Sequence, residues 1–429
     1  MRHYRPNIKF IIALLIINLA ILSSSVKAQW QQPDTTIFAN ALATIGNITI
    51  GAKDGIAYST NSGNSWILSN EGLPPLWLDA DYGQCLWVKG NKVFFGININ
   101  GTLQTSGLFV SNDSAKTWTP CVDGMVLGTS VYCLSQKDSY LIAGTDDGVY
   151  LSSNDGALWY KPSADLNKKV ISCLAANSSN MIFAGILGES VKSGLGVFAT
   201  TNMGATWIEV NNGLPPQTTI FSMVFLNNEL FGTSTDGRVF KSINNGGLWT
   251  RSDLGISFFY NEIHAINKFG NNLLVGCDDG IFLSTNQGAY WVLQNIGLRF
   301  GTQIERNALI QSGNYVFVAA NNGVYRKPVS QVSIQNISNA VPDKYLLGQN
   351  YPNPFNPVTK IRFEIPKSSF VNLVVYNTSG REVALLINEK LNAGVYEKTF
   401  DASSLTSGVY FYRITSDNFT ETKKMLLIK

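Results

Sequence analysis

One eight-residue phrase recurs six times between Ser59 and Trp291. It is a Ser or Thr, an Asn or Asp two places on, usually a Gly two further, and a Trp three after that. The copies read STNSGNSW (59–66), SNDSAKTW (111–118), SSNDGALW (152–159), TTNMGATW (200–207), SINNGGLW (242–249) and STNQGAYW (284–291). Their tryptophans lie 52, 41, 48, 42 and 42 residues apart. A period of that length built on short strands points to a β-propeller with one repeat per blade.

A second element precedes each phrase: an apolar strand, Gly, a short turn often containing Asp-Gly, and another strand. Examples are YLIAGTDDGVYLSS (140–153), ELFGTSTDGRVFKS (229–242) and NLLVGCDDGIFLST (272–285). Asp-Gly between two such runs is a hairpin signal. Seven copies stand near Gly51, Gly96, Gly144, Gly185, Gly232, Gly276 and Ala319, one more than the Trp phrases. The missing phrase has its counterpart at the other end of the chain, where Trp30-Gln31-Gln32-Pro33 reads like a phrase's tail. The last repeat, YVFVAANNGVYRKP (315–328), has no phrase after it. The expectation is that the segment near Trp30 adds the outermost strand to the seventh blade. Closing the ring in this way removes exposed sheet edges.

The phrase resembles the Asp-box (BNR) repeat of sialidases, sortilin-type receptors, xyloglucan-active glycosidases and photosystem II assembly-factor-like propellers, over about residues 30–328. The resemblance implies a turn between a blade's third and fourth strands, in which Asn or Asp caps the turn, Gly supplies positive φ and Trp packs between blades. It implies a structural role for Ser59, Asn61, Gly63 and Trp66; Ser111, Asp113 and Trp118; Ser152, Asn154, Gly156 and Trp159; Thr200, Asn202, Gly204 and Trp207; Ser242, Asn244, Gly246 and Trp249; and Ser284, Asn286, Gly288 and Trp291. The boxes face away from the side where such proteins act. The fold class expected is all-β: a seven-bladed propeller followed by a small β-sandwich.

The start of the chain is a separate segment. Arg2, Arg5 and Lys9 precede an apolar run at 10–22, and small Val26 and Ala28 follow in A-x-A-like places, the pattern of a secretory signal peptide cut after Ala28. The run is shorter than the roughly 20 residues of a bilayer span. Residues 1–28 hold four cations and no acids, so their removal takes the net charge from +3 to −1. The electrostatic case for nucleic-acid binding goes with them. Of the five cysteines, Cys85, Cys133 and Cys173 occupy equivalent places in successive repeats and Cys277 replaces a small residue. Equivalent positions in adjacent blades lie beyond the roughly 4.4–6.8 Å Cα spacing of a disulfide, so these read as buried apolar residues. Cys121–Cys133 is the pairing left open.

Chemistry is sparse. The acids Asp54, Asp147, Asp236 and Asp279 recur with the hairpin turn, which accounts for them. No His/Cys/Asp cluster has metal-site spacing, no cofactor motif is present, and the lone His264 reads as a bystander. The propeller's arginines are Arg238, Arg251, Arg299, Arg306 and Arg326, with none in the first four repeats. That argues against the arginine triad a sialidase resemblance would bring. A ligand site is expected opposite the boxes, on inter-blade loops where aromatics adjoin carboxylates: Trp77, Asp79, Asp81 and Tyr82; Phe259, Tyr260 and Glu262; Arg299, Glu305 and Arg306. The reading is a secreted propeller binding a glycan or protein ligand; the alternative is a glycoside hydrolase using two carboxylates on that face.

After a propeller at 29–329 and a Ser/Gln/Asn-rich linker at 330–344, residues 345–429 change register. Strand-like runs at 360–365, 371–376, 383–386, 395–400, 409–415 and 420–428, with Ser-Gly and Ala-Gly turns, read as a small β-sandwich. The residues NYPNPFNP, VNLVVYNTSGREV, LNAGVYEKTFDASSLTSGVYFYRI and KKMLLIK closely resemble the type A C-terminal sorting domain of type IX secretion substrates. That resemblance implies the type IX machinery as a partner and a secreted or surface-attached product reached through the periplasm.

Overall fold

The computed structural model describes residues 29–429 apart from 54, 75–82, 100–106, 189–192, 257–261, 296, 333–334, 339–341, 392 and 403–404. They form two compact units, Gln29–Ser333 and Ile334–Lys429. Among the described residues no helix is long and apolar enough to cross a membrane.

Among the described residues the first unit shows seven antiparallel sheets of three or four strands, here blades 1 to 7 in chain order. Each blade's first strand is innermost: Ala41–Ile45, Gly83–Lys89, Val131–Lys137, Val170–Ala176, Ile220–Leu226, Ile263–Phe269 and Ile304–Ser312. Each of these strands lies against the next, and the seventh against the first, so the ring is closed. Together they line a central cavity of about 480 Å³. The closing segment is the one expected: Gln31 and Arg326 exchange main-chain hydrogen bonds of 2.8 Å in both directions, and Gln32 Nε2 donates to Asn322 O at 2.7 Å.

The Trp phrase forms the turn before each outer strand by one hydrogen-bond scheme. In blade 1, Ser59 Oγ accepts from Gly63 N at 2.8 Å, while Asn61 Oδ1 accepts from Ser59 Oγ at 2.9 Å and Ser65 N at 3.0 Å. In blade 2, Ala115 N donates to Ser111 Oγ and Thr117 N to Asp113 Oδ1, both at 2.9 Å. Asn154, Asn202, Asn244 and Asn286 repeat the pattern beneath Ser152, Thr200, Ser242 and Ser284. The hydroxyls are buried, so a residue without one would leave a buried N–H unpaired. The turn needs two consecutive positive-φ residues rather than the one expected, with Ser62, Asp155, Met203, Asn245 and Gln287 preceding the glycines.

The core is a series of wedges between neighbouring blades, each built around a box tryptophan. Trp118 packs with Ile50 and Phe95 between blades 1 and 2. Trp159, Trp207, Trp249 and Trp291 take the corresponding places with Phe94, Ile142, Phe183 and Phe231. Each indole N–H that reaches back to the preceding blade finds a main-chain carbonyl: Trp118 to Ser69 at 3.0 Å, Trp159 to Cys121 at 2.9 Å, Trp249 to Val210 at 2.7 Å and Trp291 to Ser252 at 2.6 Å. Trp30 does the same to Gln294 at 2.6 Å, so it serves the seventh blade as these tryptophans serve theirs. The Trp amides are held too, by carbonyls of Glu71, Asp123, Asn212 and Leu254. The glycine after each of those carbonyls (Gly72, Gly124, Gly213, Gly255) has φ between +86° and +96°. A Cβ on any of them would run into the Trp carbonyl.

All five cysteines are free and buried, so Cys121–Cys133 is not bridged. Cys133 and Cys173 sit on inner strands and direct their thiols at Ile171 O (3.6 Å) and Ile220 O (3.3 Å) of the next blade. Burial pushes the Cys85, Cys173 and Cys277 thiols up to about 12.

In the second unit, two four-stranded antiparallel sheets face each other. One runs Gln335–Ser338, Gly394–Asp401, Val358–Ile365, Leu346–Leu347; the other Glu382–Leu391, Ser369–Tyr376, Gly408–Ser416, Phe419–Leu427. Phe363, Leu373, Tyr412 and Met425 fill the space between them. Within the expected connector at 330–344, two stretches carry regular structure. A short helix, Val329–Val332, packs Val332 into the ring's core, and Gln335–Ser338 pairs with Gly394–Asp401. The strand was hidden because an edge strand needs only main-chain partners and no apolar alternation. The proline-rich stretch is held by side chains. Asn350 is 1% exposed and donates to Pro352 O at 3.0 Å and Thr359 Oγ1 at 2.9 Å, and Asn353 Oδ1 accepts from Leu426 N at 2.9 Å.

This packing sets two expectations. Gly213→Ala forces a Cβ onto Trp249 at a positive φ and is expected to cost about 1–3 kcal/mol, read as a lowered denaturant midpoint. The thiols are expected to resist alkylation in the folded protein at mildly alkaline pH and to react once it unfolds. Because their folded pKa lies above the unfolded value of 9.0, the stability they contribute is complete below pH 9 and is lost as pH rises towards about 12. Full reactivity of the folded protein would contradict this.

Candidate functional site at the mouth of the channel

The boxes and the turns after the inner strands occupy one face of the ring. The inter-blade loops and hairpin turns occupy the other, where each inner strand begins. At that end the inner strands of blades 2 to 6 carry one bulge residue apiece: Gln84, Tyr132, Ser172, Phe221 and His264. Blade 1 pairs without a bulge. A bulge turns a side chain out of the pleat, here at the rim of the channel.

Blade 7 departs from its neighbours. Its register jumps from Ile304↔Ala320 to Leu309↔Val318, so residues 305–308 stand opposite Ala319 alone. The extra length reaches across the mouth in two directions. Asn307, at φ +51°, donates through Nδ2 to Gln84 O of blade 2 at 2.9 Å. Arg306 lays its guanidinium over the ring of Phe221 in blade 5, with Cζ 3.9 Å from the centroid. Phe221 is buried and forms a fixed platform. The stack is a cation–π contact, an attraction that strengthens when the pair is desolvated.

Charged groups from several blades surround this stack. His264 Nε2 lies 2.9 Å from Asp278 Oδ1, and its Nδ1 lies 4.0 Å from Glu262 Oε2. The His264 ring is 6.1 Å from that of Phe221. Asp278 Oδ2 also accepts from Glu262 N at 3.2 Å, which holds the loop onto its own hairpin. Arg306 is open to solvent above, yet protein crowds it from the sides, and this desolvation lowers its pKa against the opposing pull of Glu262, Cys173, Glu305 and Tyr132. The guanidinium stays charged at any working pH. Among the described residues no acceptor comes within hydrogen-bond distance of it. On blade 3, burial and nearby Asp146 raise the Tyr132 pKa, and burial raises that of Asp146, whose Oδ1 accepts from Ser130 N at 3.0 Å.

Of the loop residues singled out in the sequence, Glu262, Glu305 and Arg306 come together here. Arg299 does not: it is exposed in a turn closed by Thr302 Oγ1 donating to its carbonyl at 2.6 Å. Trp77, Asp79, Asp81, Tyr82, Phe259 and Tyr260 lie outside the described residues. His264, Asp278, Phe221, Tyr132 and Asp146 were missed. They share no local motif, and only ring closure brings them to one mouth. Among the described residues no group of three His, Cys, Asp or Glu is placed to hold a metal ion.

Comparison with known proteins bears on both units. Residues 349–429 match the secretion system C-terminal sorting domain. The chain is therefore exported by a type IX secretion system, to the cell surface or beyond it. No curated protein sequence matches it. Similar solved structures are propellers of varied function. YCF48 bound to D1 peptide is 14% identical with a TM-score of 0.50, over 70% of this chain and 96% of that one. The GH74 xyloglucanase from Xanthomonas campestris is 12% identical with a TM-score of 0.51, over 92% and 69%. The WD40 propeller domain of Doa1 is 11% identical with a TM-score of 0.50, over 68% and 93%. At these identities the likeness concerns the fold.

Proposed function

We propose that this chain is a secreted or cell-surface propeller that binds a glycan or protein ligand at the loop-face mouth of its channel, with no catalysis of its own. The observation that carries the reading is the Arg306–Phe221 stack on the blade 7 bulge. Blades 2 to 6 need one bulge residue, so ring closure does not call for the longer excursion of blade 7. An arginine held flat, with hydrogen-bond capacity to spare, is an anchor for a partner. In this reading the signal peptide is removed after Ala28, which leaves Trp30 next to the new N-terminus.

Glycoside hydrolysis is the second reading, favoured by one observation. Asp146 is a mouth carboxylate whose raised pKa suits proton donation. Two measurements separate the readings: capture on glycan and protein arrays, and release of reducing sugar, each on the mature protein. Binding without turnover, lost in Arg306→Ala and Phe221→Leu, is expected. Turnover abolished by Asp146→Asn would overturn the binding reading. For export, a chain ending at Asn339 is expected to accumulate in the periplasm, followed by fractionation and immunoblotting; its normal appearance outside the cell would refute the sorting role.

A further inference from the structure

We propose that the cap of residues 305–307 is the floor of a subsite for an uncharged saccharide, a ligand class that deepens the reading above and rests on it. The argument is one of charge and hydrogen-bond capacity. At the mouth the guanidinium of Arg306 feels the carboxylates of Glu262 and Glu305, with Asp146 and Asp278 on the same rim and His264 engaged by Asp278 at 2.9 Å. An anion able to pair with Arg306 would have to settle among those acids. A cation would meet an already desolvated guanidinium at close range and leave its N–H groups unpaired. Taking either charge out of water is costly unless the pairing is good.

A sugar hydroxyl avoids both penalties, because each one can accept from the guanidinium and donate to a carboxylate. Neighbouring hydroxyls on a pyranose would then bridge Arg306 to Glu262 and Glu305. Tyr132, half-buried on the same rim, offers an aromatic wall. The guanidinium is pre-organised for this, since the face of Phe221 holds it at 3.9 Å and little side-chain freedom is lost on binding.

The test uses the mature full chain with immobilised neutral, uronic-acid-containing and sulfated oligosaccharides as probes. Neutral probes are expected to bind with affinity insensitive to added salt. Arg306→Ala and Arg306→Lys are both expected to weaken binding at least about tenfold, about 1.4 kcal/mol. The lysine variant keeps the charge and loses the planar fork. Phe221→Leu is expected to act likewise, and unchanged melting temperatures show that the variants fold. Binding confined to sulfated or uronate probes overturns the inference, as does undiminished binding by Arg306→Lys. If a protein ligand binds at the mouth and depends on Arg306 while no saccharide does, this inference fails and the binding function stands. If no ligand of either kind depends on mouth residues, both fail.

Discussion

Everything in the ring rests on the tryptophan at the end of each box. At Trp118, Trp159, Trp249 and Trp291 the indole fills the wedge between two blades, the ring N–H takes a carbonyl of the preceding blade, and the residue's own carbonyl leaves room only for a glycine. Three demands thus meet on one residue, and each crosses a blade boundary. The seam between blades 6 and 7 uses the same device from the opposite end of the chain, with Trp30 reaching Gln294 and Gly297 fitting beneath it. Closure therefore needs no covalent link, and burial holds the inner-strand thiols above their usual pKa.

The boxes could be read from the sequence because their bonds are local. A buried hydroxyl and an Asn or Asp two residues on satisfy amides within the same turn, so spacing alone reveals them. The glycine of the inter-blade clasp was also visible, at Gly72 and Gly213, but its role was not. Both stand in a run, Gly-Leu-Pro-Pro, that occurs at 72–75 and again at 213–216, and nothing within that run says that the glycine meets a tryptophan from the next blade. The inner strands were harder still. A bulge breaks the alternation that marks a strand, so the strand pairs around Gly96 or Gly144 stood out while Gly83–Lys89 and Val131–Lys137 did not. The mouth residues lie on several blades and acquire a relation only through closure. That is why a solitary histidine read as a bystander stands between Asp278 and Glu262.

Repetition itself explains where function can reside. Positions that serve the clasp or the box carry similar residues from blade to blade, because each faces the same packing problem. The bulge positions do not: Gln84, Tyr132, Ser172, Phe221 and His264 are five different side chains at comparable places. Just behind them, Cys85, Cys133 and Cys173 repeat, since those side chains meet the next blade. A rim position at which the repeat does not dictate the side chain is where chemistry can vary without loosening a blade. The excursion of blade 7 goes one step further. By crossing the mouth it turns an open channel into a floored depression, and it sets a charged plane against a buried ring. Water can be displaced from such a floor by a ligand that restores the hydrogen bonds it takes away.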